Sequence, residues 1–175
     1  MIRIGIDPDS KFIGCSILED NRLSINKYTI TEFLYNKIPE WSDKYKKFCF
    51  EKQFGEMKIF LEGGWLNNHY YQSTESPMII NNIARKIGMN HEVGLIIEES
   101  LKFHELKFET VKPVQYSRFK PEKDKINHIQ FTKMLNEFGI EYKFERSNQD
   151  ERDSALLLVH YLFEQKPKKS EYEFF

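Results

Sequence analysis

The 175-residue sequence holds two cysteines, Cys15 and Cys49, with no CxxC pair, and none of its five histidines forms a pair at zinc spacing. Neither a disulfide framework nor a structural zinc is expected. Long apolar runs are also lacking: no segment reaches the length of a signal peptide or a membrane span, so a cytoplasmic chain with reduced thiols and no membrane partner is the expectation. Charge of one sign is not in excess, with 26 Lys and Arg against 27 Asp and Glu. The net charge of -1 therefore announces no nucleic-acid binder, and the distribution of charge must decide. No internal repeat is present. What is abundant is aromatic (15%) and charged (30%) residues, the composition of a globular chain. Its length suits one domain, read here as residues 1–164, followed by a polar, lysine-rich tail at 165–175.

The chain opens with "RIGIDPDSKFIGCSIL", two apolar runs around a turn built from Pro8, Asp9 and Ser10. Alternation places Ile4 and Ile6 on one face and Gly5 and Asp7 on the other, so Asp7 leaves the first strand at its end. Cys15 reads as a small core residue. "RLSINKYTI" (22–30) alternates as a third antiparallel strand of a meander. In the aromatic segment 31–55, Pro39 interrupts, Ser42 is a candidate cap for a helix over 43–54, and Gly55 ends it. "KIFLEGGW" (58–65) is a buried strand stopped at Glu62 by a glycine pair. Ser76 and Pro77 announce a long helix with Ile79, Ile80, Ile83 and Ile87 on one stripe, continued by Val93, Ile96, Ile97 and Leu101, with Gly88 as a point of bending. A strand over 107–114 follows, and then an amphipathic helix over 123–138 through Ile126, Ile129, Met134 and Leu135, stopped by Gly139. "IEYKFE" (140–145) alternates as a short edge strand. The last helix starts near Gln149, capped by Ser147 or Asn148. The order predicts an α/β domain: a mixed sheet, with a three-stranded antiparallel meander plus parallel strands, flanked by helices.

Three acidic positions stand out. Asp7 and Glu62 end strands, and Asp150 with Asp153 occupies the first turn of the last helix. At i and i+3 these two face one way, and a strand end and a helix N-terminus meet at one rim of a sheet, where ligands of open α/β sheets collect. Four carboxylates in one cleft repel one another unless cations neutralise them. Oxygen donors without His or Cys select Mg²⁺ or Mn²⁺. Two such ions about 4 Å apart are the apparatus of in-line phosphodiester hydrolysis, one activating water and the other stabilising the departing oxygen. Asp7 would bridge them. A plainer role is open to Asp150 and Asp153, which also suit the positive end of a helix dipole.

"IGIDPDSKFIGCSI", "IFLEGGW" and "DERDSALLLVHYL", carrying Asp7, Glu62, Asp150 and Asp153, resemble in order and spacing the RuvC-type Holliday-junction resolvases of the RNase H-like superfamily. The resemblance implies an RNase H-like sheet, four metal-binding carboxylates holding two Mg²⁺ (or Mn²⁺) ions, and a homodimer that nicks two strands of a four-way junction symmetrically. It further implies a base-stacking aromatic at Trp65 and a catalytic lysine near the scissile phosphate at Lys125. A second family lysine has three candidates, Lys112, Arg118 and Lys120. Where the family carries Gly, this chain has Asp9, and its segment 31–54 is long for a compact resolvase.

Between 110 and 134 the cations Lys112, Arg118, Lys120, Lys123, Lys125 and Lys133 face only Glu122 and Asp124, with Tyr116 and Phe119 among them. Such a loop suits a phosphate backbone, as it also suits solvent. The reading is a Mg²⁺-dependent endonuclease of branched DNA, with two alternatives: a RuvC-like nuclease of flaps, single strands or other branches, and a non-catalytic nucleic-acid-binding module. Retention of four like charges argues against the last. His69, His91, His104 and His128 are expected on the surface. The Lys-, Asn- and Ile-rich composition suggests a bacterial or viral source.

Overall fold

Three isoleucines of β1 (Ile2–Asp7) alternate with Arg3, Gly5 and Asp7, and the strand is covered on both faces because it lies in the middle of the sheet. The computed structural model describes residues 1–50, 57–66, 76–113, 126–143 and 146–164, with the backbone alone at 48–50, 150, 163 and 164. β1 pairs antiparallel with β2 (Ile13–Glu19), and β2 with β3 (Arg22–Tyr28). Asp20 and Asn21 join β2 to β3 with φ of 46° and 67°, both positive as a two-residue hairpin turn requires. On its other side β1 runs parallel to β4 (Met57–Glu62), which runs parallel to β5 (Phe108–Val111). The order is β3-β2-β1-β4-β5. This is the mixed sheet flanked by helices that the sequence predicts.

Helical backbone begins earlier than the expected start at residue 43. Thr29 caps α1 (Ile30–Glu32) in a reciprocal capping box with Glu32, and this cap also ends β3 two residues short of Ile30. A π turn over Phe33–Lys37 leads into α2 (Ile38–Phe50). Its wide bond, from the Ile38 N–H to the Phe33 carbonyl, falls just before Pro39, which has no N–H to give and is tolerated in a first helical turn. Ser42 is no cap. It is buried inside α2 and its hydroxyl donates to the His104 carbonyl at 3.1 Å.

α3 (Pro77–Phe103) has Ser76 as its cap and Pro77 at its start, as read from the sequence, but buries only Val93, Gly94, Ile97 and Leu101. Ile79 and Ile83, expected on the core stripe, are 44% and 41% exposed, and Ile96 is 51% exposed. Length explains the first two. Twenty-seven residues span about 40 Å, roughly twice a six-residue strand, so the N-terminal half of α3 overhangs the sheet.

Asn127 caps α4 (His128–Glu137) in a second capping box, which moves the start from the expected Lys123. Ile129 therefore points outward, 79% exposed, while Ile126, Phe131, Met134 and Leu135 are buried. Gly139 follows with φ +67°. The expected strand at 140–145 is reduced to a single bridge, Glu141 to Arg22, and residues 144 and 145 lie outside the described residues. Asn148 caps α5 (Gln149–Glu164), its Oδ1 accepting from the Glu151 N–H. No helix among the described residues is long and apolar enough to cross a membrane.

Two cores result, one on each sheet face. Ile4, Ile6, Ile59 and Leu61 meet Phe33, Trp41, Ile97 and Leu101 on one; Phe60, Leu23 and Ile25 meet Phe131, Leu135 and the buried run 155–159 of α5 on the other. Cys15 is wholly buried in the first, and burial pushes its thiol far up, out of reach of ordinary thiolate chemistry.

α5 lies close against the sheet at Gly5, where an added Cβ would stand 2.6 Å from the Ser154 carbonyl and 2.9 Å from both Ser16 Oγ and Leu158 Cγ. Gly5→Ala is therefore expected to destabilise the chain by about 1–3 kcal/mol through overpacking. Gly88→Ala, where an added Cβ meets nothing within 4 Å, is expected to stabilise it by up to about 1 kcal/mol through helix propensity. Urea unfolding midpoints at unchanged slope check both.

Candidate active site

Ile6 of β1 lies beside Leu61 of β4 in a parallel pair, so the next residues, Asp7 and Glu62, end two adjacent strands at one rim of the sheet. Neighbouring strands are about 4.8 Å apart, which sets the two carboxylates side by side. Both are half-buried. They line a cavity of about 240 Å³ with Pro8, Gly64, Pro113 and three residues of α3, Ile87, Asn90 and His91. That is room for several water molecules or hydrated ions.

The turn after Asp7 is tied to α3. The Ser10 N–H donates to Asn90 Oδ1 at 2.9 Å, and Asn90 Nδ2 donates to Asp9 Oδ2 at 3.3 Å. Asp9 also closes its own turn, accepting from the Lys11 N–H at 2.9 Å. Across the cavity, the Gly63 N–H donates to the Val111 carbonyl at 2.7 Å and fixes the turn after Glu62.

His91, expected on the surface, is half-buried and lines this cavity. Its ring meets Trp65 edge-on, centroids 6.4 Å apart. Trp65 itself is half-buried beside the α3-side core and lies against Gly94, where an added Cβ would come within 2.2 Å of its ring. The ring is thus folded back onto α3. Nothing in the sequence singled out Asn90 or His91, because their approach to Asp7 depends on packing across some eighty residues.

Asp153 lies in the first turns of α5, half-buried, its Oδ1 accepting from Gln149 Nε2 at 2.7 Å. It is not among the described residues lining the cavity, and the side chain of Asp150 lies outside the described residues. Among the described residues no group of three or more His, Cys, Asp and Glu is gathered to hold a metal. What is assembled is the pair Asp7 and Glu62, two hard oxygen donors of the kind that suits one Mg²⁺ retaining most of its waters. Lys112 directly follows β5, whose Val111 pairs with Glu62, so this exposed lysine stands at the same rim. Lys125, Tyr116, Arg118, Lys120 and Lys123 lie outside the described residues.

No family model matches the sequence, and no curated protein matches it. Among solved structures the chain is similar to Thermus thermophilus RuvC in complex with a Holliday junction substrate, at 12% identity and TM-score 0.42 over 93% of this chain and 94% of that one. It is also similar to another Thermus thermophilus RuvC structure, at 14% identity and TM-score 0.38 over 93% and 95% of the two chains.

Removing the Asn90 amide leaves the Ser10 N–H without its acceptor. Asn90→Ala is expected to cost about 1–2 kcal/mol in urea unfolding and to lower hydrogen-exchange protection of the Ser10 amide by an order of magnitude or more. Unchanged protection would show that the turn after Asp7 is held by other contacts.

Proposed function

We propose that this chain is a Mg²⁺-dependent endonuclease of branched DNA, with the four-way junction as its preferred substrate. The observation that carries the reading is the placement of Asp7 and Glu62 side by side at the ends of adjacent parallel strands, around a cavity sized for hydrated ions. Two hard oxygen donors side by side at one rim are the donor set that suits a divalent ion such as Mg²⁺. The motif order of the sequence supports adding Asp150 and Asp153 from α5 as the other ligands of a two-ion site. When bound, the ions would activate water and stabilise the departing oxygen of an in-line phosphodiester hydrolysis.

The chain's own residues do the remaining work. Asn90 holds the turn that follows Asp7, and Gly63 holds the one that follows Glu62. Lys112 offers a cation at the rim to a DNA phosphate, and the loop carrying Tyr116, Arg118, Lys120, Lys123 and Lys125 continues that track in this reading, with Lys125 next to the scissile group. Trp65 has its place as a stacking residue on the resemblance; its packing on Gly94 requires that it swing out or present only its outer edge. A homodimer is supported by the overhanging half of α3, where Met78, Ile79, Ile83 and Met89 are exposed on a solvent-facing stretch that a second copy would cover. Two active sites on one dimer would nick the two strands of a junction in symmetry.

The test is cleavage of a synthetic four-way junction, a flap and a linear duplex in Mg²⁺ by the native chain and by Asp7→Asn. Paired nicks in the junction alone, reduced by at least ~10³-fold in Asp7→Asn while binding persists, are expected from the loss of a metal ligand. Cutting chiefly of flaps or single strands would transfer the same chemistry to another branch structure. Binding without cutting in Mg²⁺ or Mn²⁺ would reduce the chain to a nucleic-acid-binding module.

A further inference from the structure

Two glycines interrupt the interior of α3, and they differ in what lies over them. At Gly88 an added Cβ would meet nothing within 4 Å, whereas at Gly94 it would overlap Cζ3 of Trp65 and stand 2.9 Å from Cη2 of the same ring. Glycine weakens a helix interior relative to alanine, so the buried Gly94 is accounted for by the room it leaves, a notch on α3 that holds one indole. The notch is one helical turn from Asn90 and His91, which line the carboxylate cavity, and Trp65 follows Glu62 by three residues.

The backbone that carries the ring is pinned. The Gly63 N–H donates to the Val111 carbonyl at 2.7 Å, and the Leu66 N–H donates to the Gly63 carbonyl at 2.9 Å, which closes the short turn Gly64–Leu66. This turn is also tightly packed, since an added Cβ on Gly63 would stand 2.7 Å from Thr110 Cγ2 and 3.0 Å from Leu66 Cδ1. The ring itself is held less firmly. Trp65 is half-buried, and its contact with His91 is edge-on. Rotation about its own side-chain bonds therefore carries the indole out of the notch without unmaking the turn.

An indole beside the carboxylate rim has two competing places: the apolar notch, and the face of an unpaired base, where aromatic stacking is strong and tolerant of sequence. We infer that Gly94 forms a resting notch for Trp65, which the indole occupies in the free chain and leaves to stack on an unpaired base presented to Asp7 and Glu62. A base in a linear duplex is already stacked on its neighbours, so only DNA with an open base draws the ring out. Gly94 is thus a positioning residue that acts through Trp65 and makes close engagement of the rim conditional on branched or single-stranded DNA. The inference rests on the nucleic-acid reading of the carboxylate site and on the stacking role given there to Trp65.

The experiment follows the ring and the affinity together. The full chain carries Asp7→Asn to prevent cutting and fluorotryptophan at its two tryptophans, Trp41 and Trp65, with Trp65→Phe assigning the two fluorine resonances. Trp41, buried in the core, reports whether each variant is folded. A four-way junction in Mg²⁺ is expected to shift the Trp65 resonance, and a linear duplex to leave it in place. Gly94→Ala is expected to give a solvent-exposed Trp65 resonance without DNA and to tighten junction binding about 3- to 10-fold, by raising the fraction of chains ready to stack, with duplex binding unchanged. Trp65→Ala is expected to weaken junction binding about 5- to 20-fold, and in that chain Gly94→Ala is expected to alter affinity no further. A packing defect alone would not tighten binding in a way that disappears with the indole. A Trp65 resonance unmoved by bound junction, or moved equally by duplex, would overturn the inference and leave the nuclease reading standing, as would weaker or unchanged junction binding by a folded Gly94→Ala chain. Should Gly94→Ala lose the native Trp41 resonance, the comparison of junction with duplex in the parent chain decides alone. A junction-dependent shift with no cutting by the native chain would support the notch and overturn the nuclease reading. No binding of any DNA would overturn both.

Discussion

The approach of α5 to the centre of the sheet is the constraint on which the rest of the structure depends. Ser16 Oγ, wholly buried on β2, donates to the Ser154 carbonyl of α5 at 2.7 Å, and that same carbonyl occupies the space that a side chain on Gly5 would need. The bond contributes on the order of 1 kcal/mol, but leaving either buried partner unmatched would cost more. Its geometric consequence is larger. Ser154 directly follows Asp153, so fixing this carbonyl over Gly5 brings the acidic first turns of α5 to the sheet two residues from the end of β1 at Asp7. Phe60 stacks on Tyr161 at 5.1 Å further along α5, which sets the helix direction across β1 and β4.

The opposite face is organised by α3 and the segment from α1 to α2. Phe33 lies edge-on to Trp41 and tilted to Tyr28, filling the space beside Ile6, Ile13 and Cys15. Burial also pushes the Tyr28 hydroxyl up, so that it stays neutral across the ordinary pH range. On this side the site receives its lining rather than its carboxylates: Asn90 and His91 stand where α3 leaves the sheet, between its buried half and its overhanging half. β1, closed in by both cores, is thereby a rigid support that carries Asp7 at its C-terminal end.

The rim thus joins parts held by different means. Asp7 and Glu62 are adjacent because β1 and β4 are parallel and in register; had β4 run the other way, its C-terminal carboxylate would lie at the opposite rim. Lys27 reaches the same rim because β3 is antiparallel to β2, which brings its C-terminal end back beside the start of β2. Positive charge is therefore arranged on both sides of two acids, Lys27 on one and Lys112 on the other, in a chain whose net charge is -1. Net charge records none of this.

Local chemistry was legible in the sequence. Alternation in "IGID" and the glycine pair that stops the apolar run "IFLE" set Asp7 and Glu62 at strand ends, and Ser76 with Pro77, Asn148 and Gly139 marked helix ends that the structure retains. Reading failed where a longer-range interaction prevailed. The cap at Thr29 was hidden in a stretch that also alternates as a strand, Ser42 looked like a cap while its hydroxyl serves the His104 carbonyl, and the apolar stripe of α3 gave no sign that half of it passes beyond the sheet. By itself, then, the sequence determined which residues are placed at the ends of elements, because period, caps and turn residues act over a few positions. Only the tertiary structure decided that Asp7 stands beside Glu62, that Asn90 and His91 enclose them, that Trp65 turns inward and that Lys27 reaches their rim, because strand register and helix packing relate residues tens of positions apart through contacts no local pattern encodes.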